Sequence, residues 1–437
     1  MVPVNAATIV ARNYVSFARV LADSYARHHP GRRLAVLLAD ETPRAADADE
    51  PFEPIYPSQL GLEPEAFHRM AAMYDATELA TALKPPLLRY LLADRAEPVV
   101  FLDPDVEVHA PLDELGRLAE EHGIVLTPHS LRPFPRDGDR PSEIDILRAG
   151  VFNLGCVAVG TRGSAFLDWW GDLLRFDSVL SPEEELFVDQ RVVDLVPSYF
   201  DHWVLRDPGY NVAYWNLFER DVVADESGYT VNGEPLRFFH FSGFDPERPT
   251  VLSKYHTRVA ETRRPAIRQL CRAYAERLFA NGYRSDDVAR YRFKHAALGM
   301  PFDRRLRRLY REALRASEAG QGDPPPDPFE PAACEEFIAW VRERGKFDAL
   351  SPARVAASHV TAGPDAMFPV RWVGLARRLM LRMLRHYDEH QRKIQVSMLG
   401  ALSDVDRTAD AALTMAADLT ARIDRIERAV ENMAEVP

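Results

Sequence analysis

Cysteine is scarce: Cys156, Cys271 and Cys334 are the only three. Scattered and odd in number, they form neither a disulfide framework nor a zinc spacing, and they suit a reducing cytoplasm. Long uncharged apolar runs are also missing, which leaves no segment to read as a membrane span. The start, Met1-Val2-Pro3-Val4-Asn5, has no basic stretch followed by an apolar one. A soluble cytoplasmic protein is expected. Positive charge is in deficit, with 54 Lys and Arg against 66 Asp and Glu and a net charge of -12, which argues against general nucleic-acid affinity. Neither familiar glycine-rich phosphate loop is present.

What the chain does have is size: 437 residues at 46% hydrophobic content can bury a large core and exceed one typical domain. Its central stretch is Val99-Val100-Phe101-Leu102-Asp103-Pro104-Asp105. The apolar run is short, follows Pro98 and predicts a strand covered on both faces in a parallel sheet. Ligands of open α/β sheets sit beyond the carboxyl ends of the strands, so Asp103 and Asp105 are expected at the mouth of a site. Two carboxylates one residue apart can share Mg²⁺ or Mn²⁺, which favour oxygen ligands and substrate phosphates. Pro104 stiffens the turn between them. The same spacing recurs at Asp47/Asp49, Asp137/Asp139 and Asp404/Asp406 without a preceding buried strand. Context, not spacing, singles out the 103/105 pair.

Upstream, Asn5–Ala11 reads as a strand, Asn13–His29 as a helix and Leu34–Leu38 as a second buried strand. A base and ribose could lie across Val10, Ala11 and Asn13, or Asn13 could merely cap the helix. Residues 50–62 are proline-rich and turn-like. Helices are expected over 64–72 and 78–93, the second broken by Pro85-Pro86. Lys84 at that break either reaches a phosphate or sugar or is a solvated lysine.

Downstream, the pattern predicts a helix over 111–121, a strand over 124–127, a surface loop over 128–141, a strand over 152–160 and a helix over 166–176. Asn153 and Gly155 inside a strand suggest close approach of a ligand to the backbone. Residues 183–196 read as an acidic helix, on which adjacent Asp189 and Gln190 would point about 100° apart, so that one of them faces a site. Asp207-Pro208-Gly209-Tyr210-Asn211 is an amide-bearing turn. Leu236–His240 is a strand whose final histidine is either a hydrogen-bonded core residue or, with Ser242-Gly243 following, a ligand.

Taken in order, Asn13-Tyr14, Asp103-Pro104-Asp105, Asn153-Leu154-Gly155, Asp189-Gln190 and His240-Phe241-Ser242-Gly243 resemble the motif series of GT-A fold glycosyltransferases, most of all family 8 and its bacterial relatives. The resemblance covers residues 5–260. It implies a Rossmann-like α/β nucleotide-diphospho-sugar transferase domain over 1–260. It also implies transfer of a sugar from a nucleotide diphosphate sugar to a glycan, lipid-linked or small-molecule acceptor, with retention, in bacterial cell-surface or secondary-metabolite biosynthesis. By the same resemblance Asp103, Asp105 and His240 would hold Mn²⁺ or Mg²⁺. Val10, Ala11, Asn13, Lys84, Asp103, Asn153, Gly155 and Gly243 would bind the donor, with Asp189 and Gln190 catalytic beside its sugar. Family 8 carries a phosphate-binding lysine soon after His-x-x-Gly. Here Phe244-Asp245-Pro246 follows, which leaves Arg248 or Lys254 for that contact. A nucleotidyltransferase and a degenerate sugar-nucleotide scaffold are the alternatives. The first would need a basic glycine-rich loop that Asn5–Asn13 lacks, and the presence of Asp103, Asp105 and His240 together speaks against the second.

Beyond residue 260, a helical extension is expected over 261–316, a linker over 317–331, a helical region over 332–397 and a coiled-coil tail over 398–437. Arg371–His386 interleaves apolar residues with arginines, as a packing helix with snorkelling side chains or as a surface that docks on an anionic membrane. The second reading would suit a lipid-linked acceptor at the inner membrane face. From Met398, apolar residues such as Leu402, Val405, Ala409, Leu419, Ile423 and Ile426 recur with four-three spacing, and a homo-oligomer through this seam is expected. Folding back onto the chain's own domain, or pairing with another protein, stays open.

Overall fold

The computed structural model describes residues 4–344 apart from 41, 182–183, 227, 259–262 and 286–290. The features expected at 371–386 and 398–437 lie outside the described residues. Residues up to Ile338 form one compact unit.

The strands are Asn5–Val10 (β1), Ala35–Leu38 (β2), Glu53–Ile55 (β3), Val99–Leu102 (β4), Val106–Val108 (β5), Ile124–Pro128 (β6) and Phe152–Val159 (β7). They continue with Leu180–Ser181 (β8), Leu186–Phe187 (β9), Trp203–Val204 (β10), Val222–Asp225 (β11), Gly228–Val231 (β12), Glu234–Pro235 (β13) and Phe238–His240 (β14). Seven of them make the main sheet in the order β10-β6-β7-β4-β1-β2-β3. This is the α/β arrangement that the GT-A resemblance implies. The sheet is mixed rather than parallel, because β7 runs antiparallel to both β4 and β6. A short apolar run buried on both faces reads the same whichever way its neighbour points, so strand direction could not be taken from it.

Alternation along the strands divides the core between two faces. Val100 and Leu102 join Leu21 of helix Val15–His28 and Leu115 and Leu118 of helix Asp113–His122 in one cluster. Val99 and Phe101, on the other face, are equally buried, with helix Lys84–Arg95 packed beside β4. Each such side chain contributes about 1.5–3 kcal/mol. Helix Pro265–Ala280 joins a second cluster with Phe17, Phe239 and Phe241.

Two further expectations are corrected. The turn-like stretch 50–62 contains β3 at the sheet edge, where Pro54 is tolerated because an edge strand has a side without hydrogen bonds. The acidic helix over 183–196 does not form. The chain makes β9, turns through Val188 at φ 43°, and continues as a 3-10 turn over Arg191–Leu195 and a short helix over Val196–Tyr199. Val188, Val192 and Val193 are poor helix formers that outweigh the acidic lead-in. The linker expected over 317–331 is held against neighbouring residues. His68 Nδ1 lies 2.7 Å from Asp327 Oδ2, Ala297 N–H donates to Pro328 O at 2.9 Å, and the Phe329 ring packs 4.8 Å from that of Phe293.

Candidate functional site

Asp103 follows β4 directly. Its N–H donates to Gly155 O at 2.9 Å and its carbonyl accepts from Val106 N–H at 3.1 Å, so Pro104 and Asp105 form a tight turn beyond the end of the strand. That turn leads into β5, which pairs antiparallel with β14 and sets Val106 opposite His240. Phe241 N–H then donates to Asp105 O at 2.8 Å. Backbone pairing thus carries the imidazole to the acids: Nε2 is 3.1 Å from Asp105 Oδ1 and 3.9 Å from Asp103 Oδ2.

One ligand atom from each of the three residues lies within 4.8 Å of the others. Neighbouring ligands of an octahedral cation with bonds of ~2.1 Å stand about 3 Å apart and opposite ones about 4 Å, so the donor set and the 3.1 and 3.9 Å separations from Nε2 fit a shared divalent ion. Burial opposes a charged imidazole, but Asp105 and then Asp103 prevail and hold the His240 pKa above its ordinary value.

The imidazole occupies a shaped slot. Trp215 meets it edge-on at 5.1 Å, and a Cβ added to Gly155 would stand 2.3 Å from His240 Cε1. The glycine expected to admit a ligand therefore admits the histidine. His240 Nδ1 lies 3.2 Å from Asn211 Oδ1.

Lys84 is buried rather than solvated. Its ammonium donates to Leu154 O at 2.9 Å, lies 2.8 Å from Asp189 Oδ2 and 3.5 Å from Asp103 Oδ1, and sits 4.4 Å from the centroid of the Phe101 ring. Pro85 and Pro86 restart the helix at that point, so the lysine projects from its first turn into the sheet. Burial pulls the ammonium down, and Asp103 and Asp189 together raise it above its ordinary value. Burial in turn pushes the Asp189 carboxyl up to about 6 against the pull of Lys84.

Two cavities meet at Lys84 and Asp103. The first, of about 240 Å³, is lined by Val10, Ala11, Asn13, Tyr14 and Asp105. The second, of about 550 Å³, is lined by Asn153, Gly155, Asp189, Gln190, Trp215 and His240. Asp189 and Gln190 both face this second cavity, because the Val188 turn replaces the helix on which they would have diverged. Asn13 is not the helix cap, since that position falls on Tyr14 and makes no side-chain cap bond.

Gly243 and Lys254 do not line either cavity. Gly243, at φ 72°, leaves room for the Tyr255 ring, which a Cβ would meet at 2.6 Å. Lys254 is exposed, with its ammonium 5.0 Å from the Tyr255 ring centroid. Arg248 is exposed and paired with Asp245 at 2.8 Å.

Asn211, Trp215 and Tyr255 were missed as site residues, as was the helix Glu143–Ala149, whose Asp145, Ile146 and Ala149 line the larger cavity. The Pro208-Gly209 turn before Asn211 and the Ser142–Asp145 capping box were the available signals.

No protein-family model matches the chain. YfnD of Bacillus subtilis (strain 168), described as an uncharacterized protein, is 28% identical over 246 residues, which is 54% of this chain and 76% of YfnD. Among solved structures, the galactosyltransferase LgtC in complex with donor and acceptor sugar analogs is similar at 15% identity and a TM-score of 0.37, over 63% of this chain and 95% of LgtC. The bifunctional glycosyltransferase WbbM is similar at 16% identity and a TM-score of 0.35, over 59% of this chain and 48% of WbbM.

Proposed function

We propose that the chain is a metal-dependent glycosyltransferase of the GT-A type, moving a sugar from a nucleotide diphosphate sugar to a glycan, lipid-linked or small-molecule acceptor with retention at the anomeric carbon. The observation that carries this reading is the meeting of Asp103, Asp105 and His240 where the two cavities join. The nucleotide lies against Val10, Ala11 and Asn13, the sugar in the larger cavity, and the diphosphate between them. A divalent cation, when bound, neutralises charge that develops on the departing diphosphate. Two carboxylates with one imidazole are a mixed oxygen and nitrogen set, which suits Mn²⁺ better than a purely oxygen-seeking ion.

The chain's own groups set the rest. Lys84 is a fixed positive charge below the metal-binding turn, immobilised by Asp189 and Leu154 O. Asp189 presents a buried carboxylate to the sugar cavity. Gln190 Oε1 already accepts from Leu154 N–H and Asn153 Nδ2, both at 3.1 Å, so Gln190 shapes the cavity and Asp189 is the reactive member of the pair.

Calorimetry with UDP-, GDP-, TDP- and CDP-sugars, with and without Mn²⁺, tests the reading. One sugar nucleotide should bind only with Mn²⁺, and Asp105→Ala should abolish that binding. Equal binding without metal, unaffected by Asp105→Ala, would contradict it.

A further inference from the structure

Resting on the metal-site reading above, we propose that Asn211 is a positioning residue that fixes the tautomer of His240. It places the proton on Nδ1, so that Nε2 offers its lone pair to a cation held by Asp103 and Asp105. The basis is a chain of buried amides whose orientations are dictated, one after another, from its far end.

Leu154 N–H needs an acceptor and finds Gln190 Oε1 at 3.1 Å, so Gln190 Nε2 faces Ala149 O, to which it donates at 2.8 Å. Gly155 N–H likewise finds Asn153 Oδ1 at 3.2 Å. Asn153 Nδ2 therefore donates to Gln190 Oε1 at 3.1 Å and to His129 Nε2 at 3.3 Å. His129 can accept there because its Nδ1 faces a carbonyl, Val151 O, at 3.2 Å and must carry the proton. Asn153 Oδ1 then receives Asn211 Nδ2 at 3.0 Å, and the second Asn211 Nδ2 hydrogen goes to Thr127 Oγ1 at 2.9 Å. Only Asn211 Oδ1 is left to face the imidazole, and an oxygen at 3.2 Å from Nδ1 requires Nδ1 to be the donor. Flipping any one amide would set two donors or two acceptors against each other in a buried site, at the cost of an unmet hydrogen bond.

The backbone is built to hold this amide in place. Asn211 has φ 52°, a left-handed conformation that asparagine tolerates better than most residues. Arg220, itself buried, donates to Pro208 O and Tyr210 O at 2.5 Å each, and Asn216 Nδ2 donates to Asn211 O at 3.0 Å. His240 N–H donates to Val212 O at 2.8 Å, which ties the turn to β14 itself. A histidine that ligates a metal through one nitrogen is oriented by what its other nitrogen donates to, and removal of such a partner lowers metal affinity 10- to 100-fold.

The test uses the full chain labelled with ¹⁵N-histidine and ¹¹³Cd²⁺ as a diamagnetic probe, with the His240 signals assigned by their loss in His240→Gln. Cadmium coupling is expected at Nε2 of His240, with a protonated Nδ1. Mn²⁺ affinity, read by electron paramagnetic resonance, should fall 10- to 100-fold in Asn211→Gly, a substitution that keeps the left-handed backbone. In the same variant the Nδ1 proton of His240 should exchange with water faster than in wild type, because its acceptor is gone. Coupling at Nδ1, or Asn211→Gly binding Mn²⁺ as tightly as wild type, would overturn the positioning role while leaving the metal site intact. Absence of any histidine coupling to cadmium would overturn the metal-site reading and this inference with it.

Discussion

At the scale of single residues, the buried pair Lys84–Asp189 shows how burial turns two charges into a constraint. Each ion lost water on folding, and the pair is tolerated because each partner compensates the other. Lys84→Met should therefore destabilise the protein by roughly 3–5 kcal/mol in urea unfolding at pH 7, because Asp189 is left buried without its cation. The double variant Lys84→Met/Asp189→Leu should recover most of that loss while binding no donor. A single variant as stable as wild type would show that the pair is not closed in solution. None of this was legible in sequence, where Lys84 is one lysine beside two prolines and its partner stands more than a hundred positions away. Asp103 and Asp105 were legible, because both sit in one local motif at the end of a recognisably buried strand.

At the scale of elements, the segment after β14 and the loop 128–141 are latched together beside the larger cavity. Arg258 is buried and donates to Asp137 Oδ1 at 2.9 Å, to Asp139 O at 3.2 Å and to Pro141 O at 2.5 Å, while Thr257 Oγ1 donates to Asp139 Oδ1 at 2.8 Å. Arg140 and Tyr255, one from each side of the latch, line the cavity. Arg258→Ala removes all the guanidinium bonds at once, so trypsin should cut after Arg136, the one arginine of the loop not followed by proline, several-fold faster than in wild type. An unchanged cleavage rate would mean that the loop holds its place without the latch. The loop itself could be read from its prolines and Asp-Gly-Asp, whereas its anchor could not. A lone arginine in a polar stretch gives no sign of which carbonyls it will meet. The helix wrongly expected over 183–196 failed for a related reason: local acidity suggested a helix start, and a turn at Val188 settled the geometry instead.

At the scale of the whole molecule, buried histidines set a limit on acid stability. His29 Nε2 accepts Leu112 N–H at 3.0 Å and His129 Nε2 accepts from Asn153, so both fold neutral. Burial lowers both, His129 down to about 4. An unfolded histidine titrates near 6.5, so below that pH the unfolded chain binds more protons than the folded one. The stability is present in full above pH 6.5 and is lost as pH falls towards 4, by about 2 kcal/mol at pH 5 for His129 alone. Asp189 acts in the opposite sense, since a carboxyl raised to about 6 takes up its proton earlier in the folded state. The two are separated by difference: His129→Gln should lose less stability than wild type between pH 7 and pH 5, in urea unfolding at both values. Equal losses would show that His129 is not held neutral.

The central claim is that one cation is held jointly by Asp103, Asp105, the His240 imidazole and a nucleotide diphosphate. Pulsed electron paramagnetic resonance of Mn²⁺ bound to the protein with the cognate nucleoside diphosphate reads it most directly. The expected spectrum shows coupling to both ¹⁴N of an imidazole and ³¹P of the diphosphate, with the nitrogen coupling lost in His240→Gln. Phosphorus coupling without nitrogen coupling in the wild-type protein would place the metal on the nucleotide alone and contradict the site.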